Sequence, residues 1–295
     1  MSNATPVLVD PKHVTLHRLA GAFLAGYQSP ATRRAYTAGL RRWFAWCDHH
    51  GQDPLEATRV AIDLWLVDLE KCGLAASSRG TMLTPLRAWY RWLVDEGHMQ
   101  ADPTVRIRTP RPEDNAQPAL TRNQISVLLA HAQKAGGISP AMVGLLFVNG
   151  LRVSELCAAD VTDLSWSAHH RILTVQGKGA KVVDVPLPPV VVYAIEEHLE
   201  GRELGPLLLN AAGGRLTRFS VRDRLATLCR QAGVPVVSPH ALRRTGIQLQ
   251  LADGVPLRTV QAWARHADPK TTARYDDRQR GLDEHTAYAM MRIIA

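Results

Sequence analysis

Cysteine is scarce in this chain and is never closely paired. The 295 residues hold 4 of them, Cys47, Cys72, Cys157 and Cys229, with no Cys-x-x-Cys among them. That scatter excludes a zinc-ribbon spacing, gives no basis for a disulfide framework and fits a reducing compartment. Long apolar runs are missing as well. No uninterrupted stretch approaches the ~20 residues that a bilayer-spanning helix requires, and the N-terminus has no basic segment leading into an apolar core. A soluble, cytoplasmic protein with no membrane partner is therefore expected. Acidic residues are the minority charge: 27 Asp and Glu stand against 35 Lys and Arg, a formal net charge of +8. Most of the basic excess follows Ala116. Such a chain points to a polyanionic partner, although charge alone secures only loose phosphate binding. Convergent carboxylates are lacking too. The acidic pairs Glu196-Glu197 and Asp276-Asp277 are adjacent on expected helices and point different ways, which suits surfaces better than a two-metal centre. No metal and no cofactor is expected.

What is present is helical periodicity and its punctuation. At ~150 residues per domain, the length suits two domains. From Thr15 to about Asp102 the chain reads as helices. The first covers Thr15 to Tyr27, and Ser29-Pro30 caps a longer one that carries Trp43, Phe44 and Trp46 and stops at Gly51. A third runs from about Thr58 to Cys72. A fourth starts at Ser77 or at Thr84-Pro85 and continues through Leu86, Trp89, Tyr90, Trp92 and Leu93. At helical spacing this aromatic stripe reads as core instead of a base-stacking platform. Arg33, Arg34, Arg41, Arg42, Arg79, Arg87 and Arg91 stud the same helices, and composition alone leaves solvated faces and phosphate contacts equally open. Residues 106–118 hold Pro110, Pro112 and Pro118 among charged and small polar residues, as an extended linker would. The expected domains are then 13–105 and 119–295.

In the second half, Thr121 and Gln124 stand at capping-box spacing ahead of a helix to about Gln133. Ser139-Pro140 caps the next helix and Gly150 ends it, so Arg152 follows a helix C-terminus with Glu155 one turn on. Taken alone, these two read as an exposed ion pair of small worth. Arg171 to Val175 and Lys181 to Val185 alternate apolar and polar residues around Gly177-Lys178-Gly179-Ala180, which sets a lysine at a β-hairpin tip. Pro188 to Leu199 and Ser220 to Gln231 read as helices, the second bearing Arg222, Arg224 and Arg230 toward a possible major-groove position. Ser238-Pro239 is an N-cap and first helical position, so His240 and Arg243 should share a face. Gly254-Val255-Pro256 breaks that helix and starts another, and Asp268-Pro269 opens one that carries Tyr275. Beyond it, Leu282, Tyr288, Met290, Met291, Ile293 and Ile294 form an apolar tail.

Four of these stretches, NGLRVSEL (149–156), GKG (177–179), HALRRT (240–245) and RHADPKTTARY (265–275), resemble in order the motif series of the tyrosine recombinases, the phage-integrase family. The series covers roughly residues 119 to 276. SPATRRAY (29–36) and LRAWYRWL (86–93), with Gly97 and Asp102-Pro103, are similar to the family's core-binding domain, so the resemblance takes in most of the chain. It departs at Ala264-Arg265, where the family usually has Leu-Gly before its second histidine.

The resemblance implies a mainly α (α+β) fold: an N-terminal helical core-binding bundle and a mainly helical catalytic domain with a small antiparallel β-sheet, closing as a clamp on a duplex. It implies that Arg152 and Arg243 bracket the scissile phosphate and that Glu155 orients the site. Lys178 would reach the scissile minor groove, and His240 would help accept a proton. His266 would bond a non-bridging oxygen, and Tyr275 would be the nucleophile. Arg33, Arg79, Arg87, Lys181 and Arg222 are expected DNA contacts. The implied partner is double-stranded DNA with a short inverted-repeat core site, bound by a tetramer on two sites and by a monomer or dimer otherwise; the apolar tail either caps its own domain or, as is the family's habit, docks on a neighbouring protomer. No room is expected for the arm-binding domain that some phage integrases carry. The implied activity is site-specific recombination without metal or ATP. A type IB topoisomerase uses similar residues, and a DNA-binding protein with a vestigial site would share the motifs; supercoil relaxation and the lack of a covalent adduct, respectively, mark those alternatives.

Overall fold

The computed structural model describes residues 11–110, 119–177, 182–266, 268 and 271–272. The chain divides into two compact units, Met1–Asn115 and Ala116–Ala295.

The first unit is built from α1 (Pro11–Ala25), α2 (Pro30–His49), α3 (Arg59–Lys71) and α4 (Ala76–Asp95). Side-chain caps set the starts: Ser29 Oγ accepts from the Thr32 N–H at 3.4 Å and Thr58 Oγ1 from the Ala61 N–H at 3.3 Å. Gly51, at φ +61°, lets the chain turn away after α2. Trp43, Trp65, Trp89 and Tyr90 are fully buried with Leu40, Ile62 and Leu86, so the aromatic stripe is core. Two of its polar tips are satisfied in a chain, in which Trp43 Nε1 donates to Tyr90 Oη at 2.8 Å and that hydroxyl donates to the Pro54 carbonyl at 2.9 Å.

Pro85 does not start α4, as one reading of the sequence has it, but sits inside it. A proline there gives up a helical N–H bond. Packing compensates, because Gly39 of α2 leaves room for the ring: a Cβ at Gly39 would lie 2.5 Å from Pro85 Cγ. The first residues of the expected linker are not loose either. Ile107 is buried in the core of this unit, and Arg87 donates to the Ile107 carbonyl at 2.6 Å and to Thr109 Oγ1 at 2.8 Å. The remainder of that linker, 111–118, lies outside the described residues.

The second unit contains α5 (Arg122–Ala135), α6 (Ser139–Phe147), α7 (Val153–Ala158), strands β1 (Leu164–Ser167), β2 (His170–Gln176) and β3 (Val182–Pro186), then α8 (Pro189–Leu199), α9 (Arg218–Gln231), α10 (Pro239–Ala252) and α11 (Leu257–Ala264). The Thr121/Gln124 capping box forms as its spacing predicts. Helix α6 is buried from Ser139 to Leu146 and is the centre about which the unit packs. Ser139 is its first residue and not its cap; its hydroxyl accepts instead from Arg224 Nη2 at 2.8 Å. The sheet is antiparallel in the order β1-β2-β3, with Gln176 opposite Val182 beside the expected hairpin tip. Residues 178–181 of that tip lie outside the described residues. Strand β1 has no counterpart in the sequence reading. Its turn to β2, Ala168-His169, holds φ values of +42° and +71° without the Gly or Asn that marks such turns. The helix expected from Asp268-Pro269 is described only at Thr271 and Thr272, which are helical; Tyr275 and the apolar tail lie outside the described residues. Among the described residues, no helix is long and apolar enough to cross a membrane.

Tyr90→Phe should test the buried polar chain. It strands the Trp43 indole N–H and the Pro54 carbonyl at once, and should lower the unfolding free energy by about 1–3 kcal/mol in urea denaturation followed by tryptophan fluorescence. An unchanged midpoint would show that the chain contributes nothing.

Candidate active site

The site grows from the turn that leaves α6. The carbonyls of this turn are taken up by side chains from α10 and from α11 with its cap. The Val148 carbonyl accepts from Trp263 Nε1 at 3.0 Å, and the Asn149 carbonyl from Arg265 Nη1 at 3.3 Å. The Gly150 carbonyl accepts from Arg265 Nη2 at 2.8 Å and also from Arg243 Nη1. Two glycines allow this approach. A Cβ at Gly150 would lie 2.5 Å from Trp263 Cη2, and one at Gly246, within α10, would lie 2.7 Å from the same atom. The Trp263 ring therefore occupies a slot that only glycines leave open. Gly150 also holds φ +56°, a conformation that side chains disfavour.

Just past the turn, Arg152 is the N-cap residue of α7 and Glu155 its third position. The Glu155 carboxylate accepts from the Arg152 N–H at 2.8 Å, from Arg152 Nη1 at 2.7 Å and from Arg265 Nη2 at 3.0 Å. Burial alone would raise its pKa. The bonds from Arg152 and the charge of Arg265 outweigh burial and hold the carboxyl below its ordinary value. The exposed pair that sequence alone allows is thus corrected: Glu155 is only 4% exposed. Arg152 Nη2 reaches on to the Arg265 carbonyl at 2.9 Å, while the Arg152 side chain keeps 35% of its surface open. Arg243 is 2% exposed, on the buried face of α10.

Two imidazoles complete the cluster. His240 lies in the first turn of α10, after the Ser238 cap and Pro239. Desolvation first, then the charges of Arg243, Arg244 and Arg152, push its pKa down, although the residue as a whole remains exposed. His266 follows the left-handed Arg265 that ends α11. Desolvation, with Arg243, Arg152, His240 and Arg265, lowers its pKa to about 4. Its Nδ1 is 2.9 Å from the buried Thr272 hydroxyl. With that hydroxyl donating to Nδ1, the neutral ring carries its hydrogen on Nε2 and is a donor there. Fixed guanidinium charge beside neutral imidazoles is equipped to bind a phosphate, stabilise charge on its oxygens and accept a proton.

Of the residues singled out from sequence, Arg152, Glu155, His240, Arg243 and His266 meet here. Lys178, Lys181 and Tyr275 lie outside the described residues. Arg33 is exposed on α2, whereas Arg79 pairs with Glu70 at 2.7 Å and is 13% exposed. Arg87 binds backbone and Thr109 within its own unit. Arg222, 61% exposed on α9, lies 5.7 Å over the Phe219 ring. Sequence reasoning missed Trp263 and Thr272 and met Arg265 only as a departure from a motif. Gly246 was the available signal, because a glycine in a helix interior implies close approach. Among the described residues, no group of His, Cys, Asp and Glu could hold a metal ion.

Comparison with known proteins settles the family. A family model described as "Phage integrase family" matches residues 118–280, and "Phage integrase, N-terminal SAM-like domain" matches 22–97. The chain belongs to the phage integrase family. It is 32% identical over 266 residues to tyrosine recombinase XerC of Mycobacterium sp. (strain KMS), covering 84% of this chain and 88% of that protein. It is 30% identical over 283 residues to tyrosine recombinase XerC of Mycobacterium tuberculosis (strain ATCC 25177 / H37Ra), covering 90% and 92%. The Tn1549 transposon integrase in complex with circular intermediate DNA shares the fold at a TM-score of 0.74 and 19% identity, over 93% of this chain and 98% of that one. A lambda integrase dimer bound to a COC' core site gives 0.72 and 18%, over 92% and 79%. The recombinase is thus an enzyme of the tyrosine type, with the mainly helical fold and small antiparallel sheet expected from its motifs.

The lowered histidines carry a sign. Between the ordinary value of about 6.5 and the His266 value of about 4, an unfolded chain binds a proton that the folded one refuses, so His266 subtracts stability as pH falls through that window. In histidine-labelled protein, nitrogen-15 NMR should show His266 neutral until pH approaches 4. A His266 titrating near 6.5 would mean that the cluster does not enclose it.

Proposed function

We propose that this recombinase cuts and rejoins DNA at a specific site through a covalent 3′-phosphotyrosine at Tyr275, with neither metal nor ATP. The observation that carries the reading is the meeting of Arg152, Arg243, His240 and His266, which feel one another's charge, with Arg152 held by the buried Glu155 carboxylate. Only about 0.1% of a tyrosine with a pKa near 10 is ionised at pH 7, so forming the phenolate costs roughly 4 kcal/mol. His240, kept neutral by its surroundings, helps take that proton. Tyr275 Oη attacks phosphorus, the bond to the 5′-oxygen breaks, and Lys178 protonates that oxygen as it leaves with the electron pair. Arg152 and Arg243 stabilise the non-bridging oxygens, and His266 Nε2–H donates to one of them. The phosphodiester linkage is conserved as an ester to tyrosine, so a 5′-hydroxyl from another strand reverses the step.

The partner in this reading is double-stranded DNA with a short inverted-repeat core site, met by a cytoplasmic protein. Lambda integrase structures comprise a dimer on a core site and a tetramer on a Holliday junction, which supports a tetramer across two sites here. Arg33, Lys181 and Arg222 are the proposed further contacts to DNA. Arg79 and Arg87 have partners inside their own unit, so their role in DNA binding is secondary.

The test uses a site selected by binding from random-sequence DNA, nicked so that the short 5′-hydroxyl strand diffuses away. Wild-type protein in excess EDTA should accumulate a denaturant-resistant adduct, and Tyr275→Phe should give none while still binding the site. Lys178→Ala and His240→Ala should slow the adduct, and Arg152→Ala or Arg243→Ala should nearly stop it. An EDTA-sensitive reaction, or a full adduct from Tyr275→Phe, would defeat the proposal.

A further inference from the structure

Arg265 stands where the family usually has glycine, yet it does not point away from the site. Its side chain is 11% exposed and turns back under the α6–α7 turn. Its fork reaches the carbonyls of Asn149, Gly150 and Trp263 and the Glu155 carboxylate, and its own carbonyl accepts from Arg152 Nη2. Two of these acceptors are shared with other arginines. Glu155 also holds Arg152, and the Gly150 carbonyl also holds Arg243. Arg265 is therefore joined, through shared acceptors, to both of the arginines that would face the phosphate. It does so from an unfavourable backbone, at φ +50°, where glycine would be relaxed. A residue that keeps a strained conformation and a buried charge in place of the relaxed alternative is held there by its side-chain bonds.

We infer that Arg265 is a positioning residue of this active site: its guanidinium ties the Glu155 carboxylate to the turn carbonyls and thereby fixes Arg152 and Arg243 for phosphate. The inference rests on the reading of those two arginines proposed above. Arg265 touches no reacting atom in this scheme; it acts through Glu155 and Gly150. Its removal should leave the fold standing, because Glu155 and the Gly150 carbonyl each keep a donor from Arg152 or Arg243, and glycine at 265 relieves the backbone.

The experiment compares wild type with Arg265→Gly and Arg265→Lys on the nicked site. Arg265→Gly should stay folded, melting somewhat below the wild-type temperature because the lost bonds outweigh the relief of the backbone, and bind the site within about twofold. Its adduct rate at saturating protein should nonetheless fall about 10- to 100-fold, the usual cost of losing an orienting partner. Arg265→Lys restores the charge without the fork and should recover only part of the rate. The fall in rate at saturating protein with site affinity kept is the split that a merely structural loss would not give. A wild-type rate in Arg265→Gly would overturn the inference, as would failure of both variants to fold, which would make Arg265 structural. Absence of adduct from wild type would instead defeat the phosphotyrosine reading, so the two failures are distinguishable.

Discussion

A carboxylate with 4% of its surface exposed needs partners, and the arrangement of partners around Glu155 organises everything near it. An unpaired charge at that depth would protonate or unfold the site, and breaking a buried pair by removing one member commonly costs 3–5 kcal/mol. Here the carboxylate accepts from the backbone and side chain of Arg152 and from Arg265. The arrangement works in both directions. Glu155 stays ionised because the arginines surround it, and the arginines hold fixed directions because the carboxylate leaves them few alternatives.

The charge state of the site then follows from the fold. The guanidinium groups outnumber the buried Glu155 carboxylate, and desolvation first, then their combined field, keeps His240 and His266 neutral. A site with surplus fixed positive charge and neutral imidazoles is prepared for an anion before the anion arrives. The framework behind it is the turn after α6, whose carbonyls bind Trp263, Arg265 and Arg243. These contacts bring together segments 93 to 116 residues apart in sequence. They depend on the glycine slot at Gly150 and Gly246, because any side chain there would displace the Trp263 ring and with it the end of α11.

Much of this was legible in the sequence because it is written in local rules. Ser29, Thr58, Thr121 and Ser238 declare helix starts through side chains that bond backbone within three residues. The order of motifs around Arg152, His240, Arg243 and His266 named the cluster. What escaped depends on distant partners. Pro85 inside α4 is tolerated only because Gly39 on another helix makes room for it. The β1–β2 turn uses Ala168-His169 where turn chemistry favours Gly or Asn, so nothing local announced it. Arg79 and Arg87, expected from the resemblance to contact DNA, have Glu70 and the Ile107 carbonyl as partners within their own unit, which no local pattern announces. Arg265 was visible as an oddity, but its purpose lay in the carbonyls and carboxylate of a turn more than a hundred residues earlier.

The central claim is that the Glu155 carboxylate, through its charge, directs the arginines of the site. Glu155→Gln keeps the shape and removes the charge, so its rate of adduct formation on a nicked core site is the most direct measurement. The account predicts a fall of about 10- to 100-fold at saturating protein with site affinity little changed. A Gln variant that forms the adduct as fast as wild type would show that the arginines are held by something else.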